Sequence, residues 1–305
     1  MPELPDVTVY LERLVALAGG QRLEGVRVAS PFVVRTFEPA LTDVVGHVLR
    51  GGERIGKRLV LDFDADLFVV IHLMIAGRLR WRGAGARLPR GTGLMAFDFG
   101  PGTLLLTEAS RQKRASVHVV RGRVALQGFD RGGVDPLSVS AAEFRDALLR
   151  ENRTLKRALT DPRLFSGIGN AYSDEILFQA RLSPITLTQR LERGEIVRLR
   201  NATRKVLEAW TEKLRRDAGA GFPERVTAFH EDMAVHGRYR QPCRKCGTAV
   251  QRIRYAANEV NYCPRCQTGG KLLADRALSR LLRQDWPRRI EELEELLESG
   301  ARPGR

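Results

Sequence analysis

Apolar residues recur along the first third of the chain in two different periods. After Pro5, the residues Val7, Tyr10, Leu11 and Leu14 fall three and four apart, the spacing of one helix face, and Ala18-Gly19-Gly20 closes the run. Beyond that the pattern shortens into β-like runs at 25–29, 32–37, 44–50, 58–63, 67–73, 77–81, 95–99, 103–106 and 116–120. Gly51-Gly52, Asp64-Ala65-Asp66 and Gly100-Pro101-Gly102 punctuate them. Many short strands at this spacing predict a β-sandwich or barrel carrying a terminal helix.

From Ser140 the period becomes helical. Ala141, Phe144, Ala147 and Leu148 share one face, Thr154 to Leu159 begin another segment that carries Lys156, and a long helix over 193–215 turns Ile196, Leu199, Val206, Leu207, Trp210 and Leu214 inward. Ala218-Gly219-Ala220-Gly221-Phe222-Pro223 opens a loop long enough to act as a lid or binding loop. Residues 250–255 and 259–262 alternate like a hairpin with Ala256-Ala257-Asn258 at its tip. Leu272, Leu273, Leu278, Leu281 and Leu282 suggest one amphipathic helix. After Trp286-Pro287, Ile290, Leu293, Leu296 and Leu297 suggest a second, ended by Gly300. The expected class is α+β, divided as 1–136, 137–237, 238–270 and 271–305.

Composition narrows the partners. The 305 residues are 43% hydrophobic, enough for sizeable cores in more than one domain, and 51 Lys plus Arg against 36 Asp plus Glu leave a formal charge of +15. Such a field favours a polyanion, either nucleic acid or an acidic membrane surface. There is no apolar run near 18 residues and no charged-then-apolar leader, so neither a span nor secretion is expected, and the cytoplasm or nucleoid is. In a reducing compartment four cysteines close together read as metal ligands. Cys243-x-x-Cys246, sixteen residues, then Cys263-x-x-Cys266 is the spacing of a four-thiolate zinc site, structural because protein fills all four positions.

Candidate chemistry begins at the terminus, Met1-Pro2-Glu3-Leu4-Pro5-Asp6. Removal of Met1, which the small Pro2 permits, leaves a secondary amine with a carboxylate beside it. An α-amino group titrates at about 7.7 to 8.0, so a useful fraction is neutral near pH 7. Attack on a sugar C1′ by a secondary amine gives an iminium that cannot lose its charge by deprotonation and remains an electron sink. Glu3 would exchange the protons. Taken alone, the segment reads first as an ordinary start before a helix. Lys57, after Gly56, and His72, inside Val69-Val70-Ile71-His72-Leu73, read first as a strand-edge charge and a core histidine. They become phosphate contacts if the domain binds nucleic acid. The same holds for Arg111 in the basic loop Ser110-Arg111-Gln112-Lys113-Arg114. Gly167-Ile168-Gly169 feeding Asn170 at a helix start aims amides outward as a phosphate cradle, although such turns also simply join helices.

Together these residues resemble the formamidopyrimidine-DNA glycosylase / endonuclease VIII family. The likeness runs from Pro2 to about Gln267: the amino-terminal Pro-Glu-Leu-Pro-Asp, Gly56-Lys57, His72-Leu73, the segment Gly167 to Leu177, and Val235-His236-Gly237-Arg238 leading into the four cysteines. The resemblance implies a β-sandwich, a helix-two-turn-helix domain and a zinc finger. It implies a monomer that flips damaged bases, oxidised ones foremost, out of DNA. Pro2 would be the nucleophile, Glu3 the acid and base, and Lys57 an assisting cation, giving glycosylase and AP lyase activity. Asn170, His72, Arg111 and Lys156 would meet the backbone. The chain departs from the family where a finger arginine is usual and Asn258 stands, with Arg252 and Arg254 as substitutes. It also has Ile75 and the loop 110–113, without Phe, where a base-wedging trio is usual, and a carboxy-terminal extension. A non-catalytic zinc-finger protein binding damaged or branched DNA is the competing expectation.

Overall fold

The computed structural model describes residues 1–224, 226, 229–255, 258–274 and 287–298. The chain forms two compact units, one of 1–133 with 207–228 and one of 134–206 with 229–305.

In the first unit, helix α1 (Leu4–Ala18) buries Leu4, Val7, Tyr10, Leu11, Leu14 and Ala18, the predicted face extended by one turn at each end. Eight strands follow: β1 (Leu23–Val28), β2 (Leu49–Ile55), β3 (Arg58–Phe63), β4 (Leu67–His72), β5 (Gly77–Arg82), β6 (Gly93–Phe99), β7 (Gly102–Glu108) and β8 (Ser116–Arg121). They pair antiparallel in two four-stranded sheets, ordered β1-β6-β7-β5 and β2-β3-β4-β8. Leu59, Leu61, Phe63, Val69, Ile71, Val117 and Val119 of one sheet share a core with Leu79, Met95, Phe97, Leu104 and Leu106 of the other and with the α1 face, the sandwich the alternation predicts. Gly52 lets α1 close on β2, since a Cβ there would stand 2.9 Å from Leu11 Cδ2 and 3.2 Å from the Val60 carbonyl.

Two predicted strands are corrected. Residues 32–37 are not a strand: Pro31–Val33 is a 3-10 turn that leaves Phe32 and Phe37 exposed, because Pro31 opens the turn and Val33, with Val34 partly buried beside it, reaches the core. In 44–50 a 3-10 turn, Leu41–Val44, and the φ of +87° at Gly46 delay the strand to Leu49.

The second unit holds helices α3 (Ala141–Leu149), α4 (Leu155–Thr160) and α5 (Asn170–Ala180), α2 (Arg123–Gln127) having closed the first. Ser140 caps α3 by accepting the Glu143 N–H, with Glu143 reaching back to the Ser140 N–H. Helix α6 (Arg193–Ala218) contributes its first half here and its second half to the first unit. A hairpin of β9 (Gln251–Tyr255) and β10 (Asn258–Tyr262) precedes α7 (Pro264–Thr268) and α8 (Ile290–Glu298). Of the two predicted terminal helices, the second is α8. Leu272 and Leu273 are buried without helical structure, while Leu278, Leu281, Leu282 and the hairpin-tip residues 256–257 lie outside the described residues.

Candidate active site and nucleic-acid interface

Glu3 is the N-cap of α1, and its backbone N–H donates to Asp6 Oδ2 at 2.8 Å in a reciprocal capping box. Pro2, Glu3 and Asp6 are all buried, the two acids only 3% and 4% exposed. Burial therefore dominates the electrostatics. It pushes the Asp6 carboxyl up to about 7, against the Glu3 N–H bond, and Asp6 Oδ1 has no hydrogen-bond partner among the described residues. It also lowers the Met1 amine, with Arg78 and Lys57 in the same direction and Glu3 and Asp6 opposing. The terminus thus lies among Glu3, Asp6, Arg78 and Lys57, a group in which the neutral amine is favoured.

Lys57 reaches this place through the two-residue turn between β2 and β3. Ile55 pairs with Arg58, and Gly56 takes a φ of +62°, which favours glycine. Arg78, absent from the sequence candidates, donates to the Val226 carbonyl at 2.5 Å and to the carbonyls of Ile75 and Gly77. His72 ends β4, opposite Arg58. Burial, then Arg58, Lys57 and His118, lower its ring to about 4, so it is a neutral donor at pH 7. Arg111 is exposed in a loop organised by buried Glu108, whose Oε2 accepts the Arg114 and Ala115 N–H groups at 2.9 and 3.0 Å. Ile75 is exposed at the β4–β5 turn.

In the second unit, Gly169 caps α5 and Asn170 begins it. The Asn170 amide donates one N–H to the Glu259 carbonyl of β10 at 2.9 Å, so part of the predicted cradle also holds the hairpin. Lys156, expected to meet the DNA backbone, already has partners inside the unit. It is 8% exposed, its ammonium pairs with Asp174 and donates to the Asn170 carbonyl, and its charge is spent inside the protein. Asp174 also meets His236 Nδ1 at 2.7 Å and accepts the Asn261 N–H at 3.1 Å. Its neighbour Glu175 accepts the N–H groups of Ala234, Val235 and His236. These two buried acids dock the 234–237 segment and the hairpin, and sequence reasoning passed over them. Adjacent acids surrounded by Ala171, Tyr172, Ile176 and Leu177 were the available signal, because a buried charge needs partners.

On the hairpin, Arg252 lies 4.1 Å from the centre of the Tyr239 ring and 3.1 Å from Glu259, while Arg254 stands 3.6 Å from the same carboxylate and is 64% exposed. Asn258 pairs with Tyr255 through the backbone, and its side chain lies outside the described residues. The four cysteine Sγ atoms lie within 4.8 Å of one another, with Cys243–Cys266 at 4.0 Å and Cys246–Cys263 at 3.4 Å. Zinc–sulfur bonds of about 2.3 Å in a tetrahedron give sulfur edges of about 3.8 Å, so the donor set fits one Zn²⁺. No described helix is long and apolar enough to cross a membrane.

Three stretches match known domain families: 1–119 the formamidopyrimidine-DNA glycosylase N-terminal domain, 133–217 its H2TH domain, and 240–269 the zinc finger found in FPG and IleRS. A formamidopyrimidine-DNA glycosylase of Heliobacterium modesticaldum is 33% identical over 281 residues, covering 88% of this chain and all of that one. The chain belongs to the formamidopyrimidine-DNA glycosylase family. A Mycobacterium tuberculosis protein described as an uncharacterized formamidopyrimidine-DNA glycosylase-like protein is 38% identical over 151 residues, half of this chain and 94% of its own. The fold is also that of the Lactococcus lactis Fpg solved with DNA containing an abasic site, with a TM-score of 0.77 and 24% identity over 87% of this chain and 99% of that one. Zinc at the four cysteines follows from the finger match and the sulfur geometry together.

Proposed function

We propose that the protein is a base-excision repair DNA glycosylase with AP lyase activity that acts on damaged DNA as a monomer, with Pro2 as the nucleophile after loss of Met1. The observation that carries this reading is the buried head of α1, where Pro2 and Glu3 lie together beside the cation Lys57, in surroundings whose burial lowers even the Met1 amine one residue away. A neutral secondary amine attacks the sugar C1′, the C1′–N bond to the damaged base breaks, and the base leaves with a proton. The nitrogen then loses its proton, the C1′–O4′ bond opens as O4′ gains one, and the resulting iminium withdraws electrons from C2′, whose proton is lost to a base as the 3′ phosphate departs. Glu3 supplies the protons that the departing base and the opening sugar need, Lys57 offers its cation to the cleaved backbone, and Asn170, His72, Arg111 and the hairpin arginines hold phosphates. A non-catalytic binding protein would have no use for Pro2 and Glu3 buried together.

Glu3→Gln separates the two steps. Excision from a lesion-bearing duplex should fall by at least about 100-fold, the usual share of general acid–base catalysis. Cleavage at a pre-formed abasic site, which needs no base protonation, should fall much less. Equal loss of both would assign Glu3 to the fold or to DNA binding. A panel of lesions in the same assay identifies the base removed.

A further inference from the structure

The sheet β2-β3-β4-β8 has an outer face as well as the face that enters the sandwich core. Register places Arg58, His72 and Ser116 in one row on it and Val60, Val70 and His118 in the next. Val60 and Val70 pack there with Phe68, Val120, Leu126 and Phe129, a cluster separate from the sandwich core. Phe129 supports the polar end of that face: the His118 ring meets it edge-on at 5.0 Å, and Arg58 lies 5.8 Å above it while donating to its carbonyl at 3.3 Å. The loop after β1 runs along β8 and brings Arg35 beside His118. The Arg35 N–H donates to the Val117 carbonyl at 2.9 Å, and Thr36 Oγ1 accepts the Val119 N–H at 2.7 Å.

The acids of this face, Glu53 opposite Val60 and Asp62 one row on, pair with Arg123, so the charges that bear on His118, His72 and Arg58 are cations. Arg58 and Arg35 act on His118, Arg58 and Lys57 on His72, and Arg131 on Arg58. Like charges gathered around half-buried rings, with the acids of the face already taken by Arg123, destabilise the free fold. Such a conflict is expected where a ligand supplies the missing charge. The row also begins one residue after Lys57 and includes His72.

We propose that this outer face, centred on His118 between Arg35, Arg58, His72 and Arg131, is a further phosphate-binding subsite that takes the phosphodiester backbone of DNA and extends the grip of Lys57 and His72. The inference rests on the DNA reading above. Burial and the neighbouring cations keep both histidine rings neutral at pH 7, so they donate hydrogen bonds while the arginines supply the charge. Arg35 and Arg131 are exposed and leave the core intact when changed.

Full-length protein is titrated with a duplex carrying a non-cleavable abasic analogue over a range of salt. Arg35→Gln and Arg131→Gln should each lower the slope of log K against log salt by about one, and the double variant by about two. His118→Ala should weaken binding several-fold with the slope unchanged, because it removes no charge. Melting temperatures of the free arginine variants should be equal to or above the parent's, which a purely structural role would not give. Unchanged slopes in both arginine variants would overturn the assignment, and would do so in favour of a free-anion site if inorganic phosphate raised the parent's melting temperature but not the double variant's. Borohydride trapping at an abasic site, run in parallel, tests the catalytic reading separately: its absence from every protein, with the slope changes present, would remove that reading and leave the subsite standing.

Discussion

At the residue scale, Asp6 is a group whose behaviour departs far from its ordinary chemistry. Its folded carboxyl titrates near 7 because it is buried, whereas the unfolded one titrates near about 3.9. The folded value is raised, so the stability it contributes is complete below about pH 4 and is lost as pH rises through about 7. Between pH 5 and 8 the loss is on the order of 2 kcal/mol, at about 1.4 kcal/mol per pH unit. Asp6→Asn keeps an oxygen for the Glu3 N–H but does not ionise. Chemical denaturation should therefore show the parent losing stability over this window and the variant staying flat, while parallel loss in both would place the titration elsewhere. The proposed reacting pair, Pro2 and Glu3, was chosen from the sequence because amine chemistry needs a free terminus and an adjacent acid. Asp6 as a high-titrating acid, Arg78 as a neighbour of the amine and Lys156 as an internal partner of Asp174 were not. Each depends on burial, which segments distant in sequence create.

At the element scale, legibility followed the strength of the local pattern. Helix α1 and strands β3 to β8 coincide with uninterrupted runs, and the paired cysteines announce their finger. The stretch 32–37 has the composition of a strand but begins at a proline turn, and residues 44–48 are apolar without alternation, so tertiary context decided both. The hairpin β9–β10 carries the next prediction. Arg252 is committed to Tyr239 and Glu259, whereas Arg254 is largely exposed and farther from the same carboxylate. If Arg254 takes over the grip of the usual finger arginine, Arg254→Ala should cost about 1–3 kcal/mol in DNA binding, the range for a charged hydrogen bond, and lower the salt slope by about one. Arg252→Ala should instead lower thermal stability, through lost packing on Tyr239. A large effect of Asn258→Ala with Arg254→Ala silent would return the contact to Asn258.

For the whole molecule, the formal charge of +15 bears on association more than on folding. Each phosphate neutralised contributes about 0.9 to the fall of log K with log salt, and four to eight contacts are expected, so the slope for the parent protein should lie between about −3.6 and −7.2. Asn170→Ala should weaken binding to every duplex alike, whatever its lesion, since an amide on a phosphate carries no base information. A lesion-dependent effect would put Asn170 nearer the base. Family membership was legible from five short motifs spread from Pro2 to Arg238 together with the four cysteines, none of them decisive alone. What they could not convey is how the parts are held, because the buried Asp174–His236 and Glu175 contacts join residues about 60 positions apart.

The account stands most directly on covalent trapping. Protein whose intact mass shows loss of Met1 is mixed with an abasic-site duplex and borohydride, and the adduct is digested and mapped. The DNA should be joined to the Pro2 nitrogen, and Pro2→Gly or an uncleaved amino-terminal tag should reduce trapping sharply. An adduct on Lys57 or another lysine, formed equally well by the tag-blocked protein, would contradict it.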